Sequence, residues 1–219
     1  MWAVAEVFTL YMDAFWASPF DFSVFVALRE KQIEFGVARA ILRSGQGLPA
    51  GIRQRTVTGR VPALQHGNFW LSESLAIVEY LDELYPPPGS TALIPTQPRQ
   101  RARARQIMAW VRTELMELRR ERSSWRILYP APPPEPLGPQ AQREADELVD
   151  AAERLLTSPD LDFPSEWCMA HADLTFVLLR LVRTGHELPA VITDFVEQQL
   201  HRPSVAEYFA HPRPPNPPG

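Results

Sequence analysis

Arg60-Val61-Pro62-Ala63-Leu64 and, after a short gap, Glu73-Ser74-Leu75-Ala76-Ile77 decide how this chain is read. A proline that follows a β-branched residue just before a short strand is a candidate for a cis peptide bond. Cis bonds are almost confined to X–Pro and mark tight turns. The second block puts an acid and a hydroxyl in the first turn of a helix, where unpaired N–H groups and the helix dipole favour an anion. Each block alone has an ordinary reading, a trans turn and normal first-turn chemistry. Together they describe a site for something peptide-like that carries a carboxylate.

Working outward, residues 7–11 form an apolar strand pattern. Residues 19–31 come next as a helix with Ser18 as N-cap and Pro19 at the first helical position. Phe22, Val24, Phe25, Val26 and Leu28 leave that helix little polar surface, so it packs on a sheet and on neighbours. Residues 34–41 give a second strand, and the β-α-β order implies a right-handed crossover and parallel pairing. The stretch 43–60 is glycine-containing and mostly irregular. Arg43, Arg53, Arg55 and Arg60 lie in it, with Arg39 just before. Residues 63–65 and 68–71 make a hairpin over His66-Gly67. Residues 73–85 then form a helix with Ile77, Tyr80, Leu81 and Leu84 at helical spacing. The sum is βαβ followed by ββα, an α/β domain with a mixed four-stranded sheet over 1–85.

Prolines punctuate the rest of the chain. Pro86-Pro87-Pro88-Gly89 opens a linker over 86–97. From 98 to 212 the pattern is all-α. It comprises one long helix or two in line over 99–126, a helix over 140–157 with Ala141, Ala145, Leu148, Ala152 and Leu155 on one face, and an almost wholly apolar helix over 174–182. Two shorter helices over 189–200 and 203–209 complete it. Between the first two lies the proline-rich loop 130–139. The tail 213–219 reads as a frayed or extended terminus.

The chain has 219 residues, 45% apolar and 22% charged, with a net charge of −4. Nothing in that balance draws the molecule as a whole to nucleic acid or to an anionic membrane. One cysteine, Cys168, excludes a disulfide framework. The five histidines show no metal-ligand spacing. No stretch reaches the length of a membrane span, and the first residues make a poor signal peptide, so the expectation is a soluble cytoplasmic protein.

The order βαβ-ββα followed by helices, with Ser18-Pro19-Phe20, Val61-Pro62 and Glu73-Ser74, resembles the glutathione transferases over nearly the whole chain. In particular it is similar to serine-type bacterial members of the YfcF kind. The run Asp13-Ala14-Phe15-Trp16-Ala17-Ser18, the Arg60-Val61-Pro62 step, Arg101-Ala102-Arg103-Ala104-Arg105 and Glu166-Trp167-Cys168 carry that likeness. The resemblance implies a thioredoxin-like first domain that binds glutathione as co-substrate, and no metal. The main chain of Val61 at Pro62, with Arg60 beside it, and the Glu73-Ser74 helix start would hold the tripeptide. The Ser18 hydroxyl would stabilise its thiolate, which then attacks an electrophile or an organic peroxide. Tyr11 is a rival for that hydroxyl. An electrophile pocket would be lined by Phe15, Trp16, Trp110 and Arg112, and a homodimer is implied. Binding of glutathione without catalysis, as a subunit or sensor, stays open. So does glutathione-dependent isomerisation, although that branch favours a Ser-Ser-Cys motif absent here.

Members of the family often carry a Ser/Thr cap with Asp three residues later before the central helix. Ala170-His171-Ala172-Asp173 has only the acid. Asp173 is therefore expected to serve folding, and Ala170→Ser to add stability by completing the capping box.

Overall fold

The computed structural model of the chain describes residues 7–40 and 48–215. Met1–Glu6, Ile41 of the expected second strand, Arg43 and the end of the tail lie outside the described residues. The chain divides into two compact units. One runs to Leu93 and takes the chain back from Glu207, and the other runs from Ile94 to Ala206.

In the first unit β1 (Phe8–Asp13), α1 (Pro19–Glu30) and β2 (Phe35–Ala40) form the crossover. After the one-turn α2 (Ala50–Arg53) come β3 (Ala63–His66), β4 (Phe69–Ser72) and α3 (Ser74–Leu84). The sheet order is β2-β1-β3-β4. β1 pairs parallel with β2, Leu10 opposite Val37, and antiparallel with β3, Leu10 opposite Leu64. α1 is buried from Asp21 to Leu28 because it is covered on more than one side. Tyr208, fully buried, meets the rings of Phe22 and Phe25 at 5.1 and 5.6 Å. Lys31 closes α1 on α3: its ammonium donates to Asp82 at 2.7 Å and to the Tyr85 carbonyl at 2.6 Å. Asp82 also accepts from the Leu93 N–H at 2.8 Å, which anchors the linker.

The second unit holds α4 (Pro98–Thr113), α5 (Met116–Glu121), α6 (Ser124–Leu128), α7 (Pro139–Thr157), α8 (Met169–Val182), α9 (Ala190–Leu200) and the start of α10 (Pro203–Ala210). The central helix is α8, buried at every position from Met169 to Leu181. The face of α7 read from the sequence is the buried one.

Three readings are corrected. The pattern over 99–126 is three helices, not one or two in line. Leu115, 3% exposed, takes the left-handed conformation (φ 61°) and turns the chain between α4 and α5. A leucine there costs about 1–2 kcal/mol and gives no sequence signal. Farther along, arginines stitch this region to the proline-rich loop, whose prolines offer carbonyls but no donors. Arg122 donates to the Glu135 carbonyl at 2.7 Å and Arg126 to that of Pro132 at 2.9 Å.

The second correction concerns the start of α8. Its N-cap is Cys168, and the Cys168 N–H donates to Nδ1 of His171 at 3.2 Å. Histidine thus takes the reciprocal place expected of Asp173, and Ala170 lies inside the first turn, fully buried. The expected effect of Ala170→Ser therefore reverses. It buries a hydroxyl without creating a cap and lowers stability by about 1 kcal/mol or more. A thermal melt that shows an unchanged or raised Tm would contradict this geometry.

Third, the tail is not frayed at Arg213. Its guanidinium donates to the carbonyls of Tyr208, Phe209 and His211 at 3.2, 3.0 and 3.3 Å. A cation on the last carbonyls of α10 satisfies acceptors that the helix leaves open.

Candidate functional site

Pairing registers bring the three sequence blocks to one end of the first unit's sheet. β1 ends at Asp13 and leads through a turn to Ser18. Tyr11 lies opposite Ala63, the first residue of β3, so the Val61-Pro62 step sits beside the end of β1. Ala63 in turn lies opposite Ser72, the last residue of β4, so Glu73-Ser74 starts α3 at the same edge. Strand ends that converge with helix N-termini are where α/β sheets bind ligands.

Ser18 caps α1. Its Oγ accepts from the Asp21 N–H at 3.2 Å, and its carbonyl accepts from the Tyr208 hydroxyl at 3.2 Å. The residue is half-buried. The Val61–Pro62 bond is cis. Val61 makes no main-chain hydrogen bond to another described residue outside the regular elements. Thr58 donates to the Ser72 hydroxyl at 3.1 Å and so holds the preceding loop against the end of β4. Arg60 is exposed beside it, after Gly59 at φ +63°. There a Cβ would lie 2.8 Å from Cγ of Arg53, so glycine is required by both backbone and space. Glu73 is exposed, and its main chain stands at φ 76°, ψ 116°, a region that costs a non-glycine residue about 1–3 kcal/mol. Such outliers persist where surrounding structure holds them, and they cluster at ligand clamps. Ser74 behind it is 4% exposed.

Two acids that the sequence reading passed over support this end of the sheet. Asp21, fully buried, accepts from the Asp13 N–H at 2.6 Å through Oδ2, and its Oδ1 has no hydrogen-bond partner. Asp13 is 5% exposed and accepts from the Ala17 N–H at 3.3 Å. The S-x-x-D spacing of Ser18 and Asp21, a capping-box signature, was the available signal. Burial raises the Asp21 carboxyl well above the usual range. The Asp13 charge adds to this, while the Asp13 N–H and the Ser18 hydroxyl oppose it. A raised folded-state value means that the fold gains from the proton. That gain is full below the unfolded carboxylate value near 4 and is lost as pH rises through the folded value. Asp21→Asn keeps an acceptor for the Asp13 N–H and cannot ionise. Its Tm is expected to exceed that of the parent at pH 8, with the gap closing toward pH 4. A deficit that grows with pH would refute the protonated assignment.

The remaining sequence candidates divide between the two units, Tyr11, Phe15 and Trp16 in the first and Trp110 and Arg112 in the second. Tyr11 donates its hydroxyl to Oε1 of Gln65 at 3.1 Å and packs on Trp70 at 5.1 Å. Trp16 is 2% exposed, stacked on His211 at 3.5 Å and packed on Phe25 and Tyr208, and Phe15 is 8% exposed. That packing makes Trp16 core rather than an open wall, because the chain after α10 returns to cover it. Trp110 is half-buried and lines, with Ile107 and Leu155, a groove of about 300 Å³ between α4 and α7. Arg112 donates to Asp173 at 2.6 Å and to the Met108 carbonyl at 2.7 Å, an ion pair inside the helical unit. Among the described residues no group of three His, Cys, Asp or Glu could hold a metal ion. No helix there is long and apolar enough to cross a membrane.

Comparison with known proteins agrees with this fold. Residues 17–84 match the family model of the glutathione S-transferase N-terminal domain, and residues 98–212 that of the C-terminal domain. Glutathione S-transferase U22 of Arabidopsis thaliana is 35% identical over 103 residues, 47% of this chain and 45% of the relative. Human glutathione S-transferase theta-1 is 31% identical over 137 residues, 61% and 55% of the two chains. The chain thus spans about half the length of the curated relatives it matches. Among solved structures, a glutathione transferase homologue from Burkholderia GL BGR1 with bound glutathione is 36% identical. It superposes with a TM-score of 0.75, covering 93% of this chain and 96% of that one. With a thioredoxin-like sheet unit, an all-helical unit and matches to both family domains, the chain belongs to the glutathione S-transferase family.

Proposed function

We propose that this protein is a glutathione transferase of the serine-type bacterial branch, which activates bound glutathione as a thiolate. The observation that carries the reading is the convergence, at one end of the sheet, of the Ser18-capped start of α1, the Val61-Pro62 step and the start of α3. A carboxylate fits the α3 N-terminus at Ser74, and Glu73 accepts from a ligand ammonium. The main chain of Val61 pairs with an extended peptide, with Arg60 adjacent. The Ser18 hydroxyl donates to the sulfur, and the α1 dipole acts in the same direction, so the bound thiol loses its proton more readily. The sulfur then forms a bond to an electrophilic carbon as the leaving group departs with its electron pair. On a hydroperoxide it attacks the O–O bond instead, releasing an alcohol and giving a sulfenate that a second glutathione resolves to the disulfide. The bound glutathione of the Burkholderia homologue, at 36% identity over most of both chains, supports the ligand. The protein works as a homodimer in the cytoplasm in this reading.

The experiment is calorimetric titration with glutathione followed by assays with an activated chloronitrobenzene and an organic hydroperoxide. Binding with turnover of either substrate is expected. Binding with neither would leave a glutathione-binding protein and remove the transferase reading.

A further inference from the structure

From Glu207 onward the chain belongs to the first unit, and there it meets the loop that carries Ser18. The Ser18 carbonyl accepts twice, from the Phe22 N–H at 3.1 Å within α1 and from the Tyr208 hydroxyl at 3.2 Å. Two residues earlier, the Trp16 carbonyl accepts from Nε of Arg213 at 3.4 Å. The His211 ring stacks on the Trp16 indole at 3.5 Å between centroids, and the Tyr208 ring meets it at 5.4 Å. Arg213 and Tyr208 are themselves joined. The guanidinium lies 5.7 Å over the Tyr208 ring and donates to the Tyr208 carbonyl at 3.2 Å.

This loop needs outside support. Trp16 stands at φ 56°, a conformation that costs a residue with a side chain about 1–2 kcal/mol. Its N–H donates to the Asp13 carbonyl at 3.1 Å, and the Ala17 N–H donates to the Asp13 carboxylate at 3.3 Å. Those bonds tie the loop back to β1 through its donors. The carbonyls of Trp16 and Ser18 are tied from 197 and 190 positions away, by Arg213 and Tyr208. Strained backbone persists where surrounding structure over-determines it, and such places cluster at working sites.

We propose that Tyr208 and Arg213 are positioning residues for the Ser18 hydroxyl. They fix the carbonyls of Ser18 and Trp16, and so hold Oγ where it donates to the sulfur of bound glutathione; the proposal rests on the transferase reading of Ser18. A held carbonyl fixes the peptide plane, and Oγ is already tied to the Asp21 N–H at 3.2 Å. Together these set where the hydroxyl sits. Placement matters because a donor to a reacting anion works through preorganisation, and a shift of about 1 Å can cost about 10²-fold in rate.

The test is a double-mutant cycle on the full chain. Tyr208→Phe keeps the ring among Trp16, Phe22 and Phe25 and removes only the hydroxyl. Arg213→Met keeps an apolar stem and removes the guanidinium, so the result does not hang on one variant folding. In each, turnover of glutathione conjugation is expected to fall by about three- to tenfold, the scale of one hydrogen bond. The glutathione dissociation constant should move by less than about twofold, and ultraviolet titration should show a raised apparent pKa of the bound thiol. Loss of folding support alone would leave that pKa in place. Made on Ser18→Ala, the same two changes should leave turnover and thiol pKa where Ser18→Ala puts them, because the donor they position is gone. Equal effects on both backgrounds would overturn the proposal. If Ser18→Ala shifts the thiol pKa while Tyr208→Phe and Arg213→Met do not, the reading of Ser18 stands and the proposal falls. If Ser18→Ala leaves the pKa unmoved, both fall.

Discussion

Alanine at position 18 is expected to cut turnover of glutathione conjugation by about 10²-fold, the scale of losing one preorganised donor to a reacting anion. The dissociation constant of glutathione should move by less than about threefold, because the proposed binding mode holds the rest of the tripeptide elsewhere, at Val61, Glu73 and Ser74. Ser18 also caps α1 through the Asp21 N–H, so the same change costs about 1 kcal/mol of stability. A merely structural role would lower Tm and leave the chemistry alone. The two are separated by ultraviolet titration of the bound thiol. Loss of the donor raises its apparent pKa, whereas loss of a cap does not. Ser18→Thr keeps both hydroxyl and cap and should restore most of the rate. If Ser18→Ala turns over as the parent does, the role passes to Tyr11, whose hydroxyl already serves Gln65 in this structure.

Legibility in the sequence tracks how local each signal is. Ser18-Pro19 states a cap and a first-turn proline within two residues, and both are where the sequence puts them. Val61-Pro62 and Glu73-Ser74 are equally local, and the alternating and helical periods between them fix the strand order well enough to bring both blocks to one edge. The later part of the chain is less legible where its decisive contacts are distant. The hydroxyl of Tyr208 reaches the Ser18 carbonyl across 190 positions, and no period encodes that. Trp16 looks like a pocket wall until His211 and Arg213 return to cover it. Leu115 bends the chain with a residue that carries no turn chemistry. At Cys168 the cap is a poor N-cap former in sequence terms, and the imidazole three residues on completes a reciprocal capping box. The carboxyl of Asp21 could have been weighed from its spacing to Ser18, but its burial, which sets its protonation, is a tertiary fact.

The largest loss of stability is expected at the ion pair that joins α4 to α8. Arg112 and Asp173 meet at 2.6 Å with side chains only 11% and 4% exposed, so solvent screens them little. Removing one partner leaves the other charge buried, at a cost of about 3–5 kcal/mol, whereas an exposed pair is worth about 0–1 kcal/mol. In Asp173→Ala the Arg112 guanidinium stays beside Arg119, a second cation: burial lowers the Arg119 pKa first, and the Arg112 charge lowers it further. Arg112→Met combined with Asp173→Leu removes both charges and should recover most of the loss, since a buried pair is often no better than apolar residues of like volume. Urea denaturation of the four proteins at pH 7, with slopes compared to confirm equal exposure on unfolding, measures each term. Single-variant losses below about 1 kcal/mol would return Arg112 to the class of surface arginines and reopen its place beside a substrate.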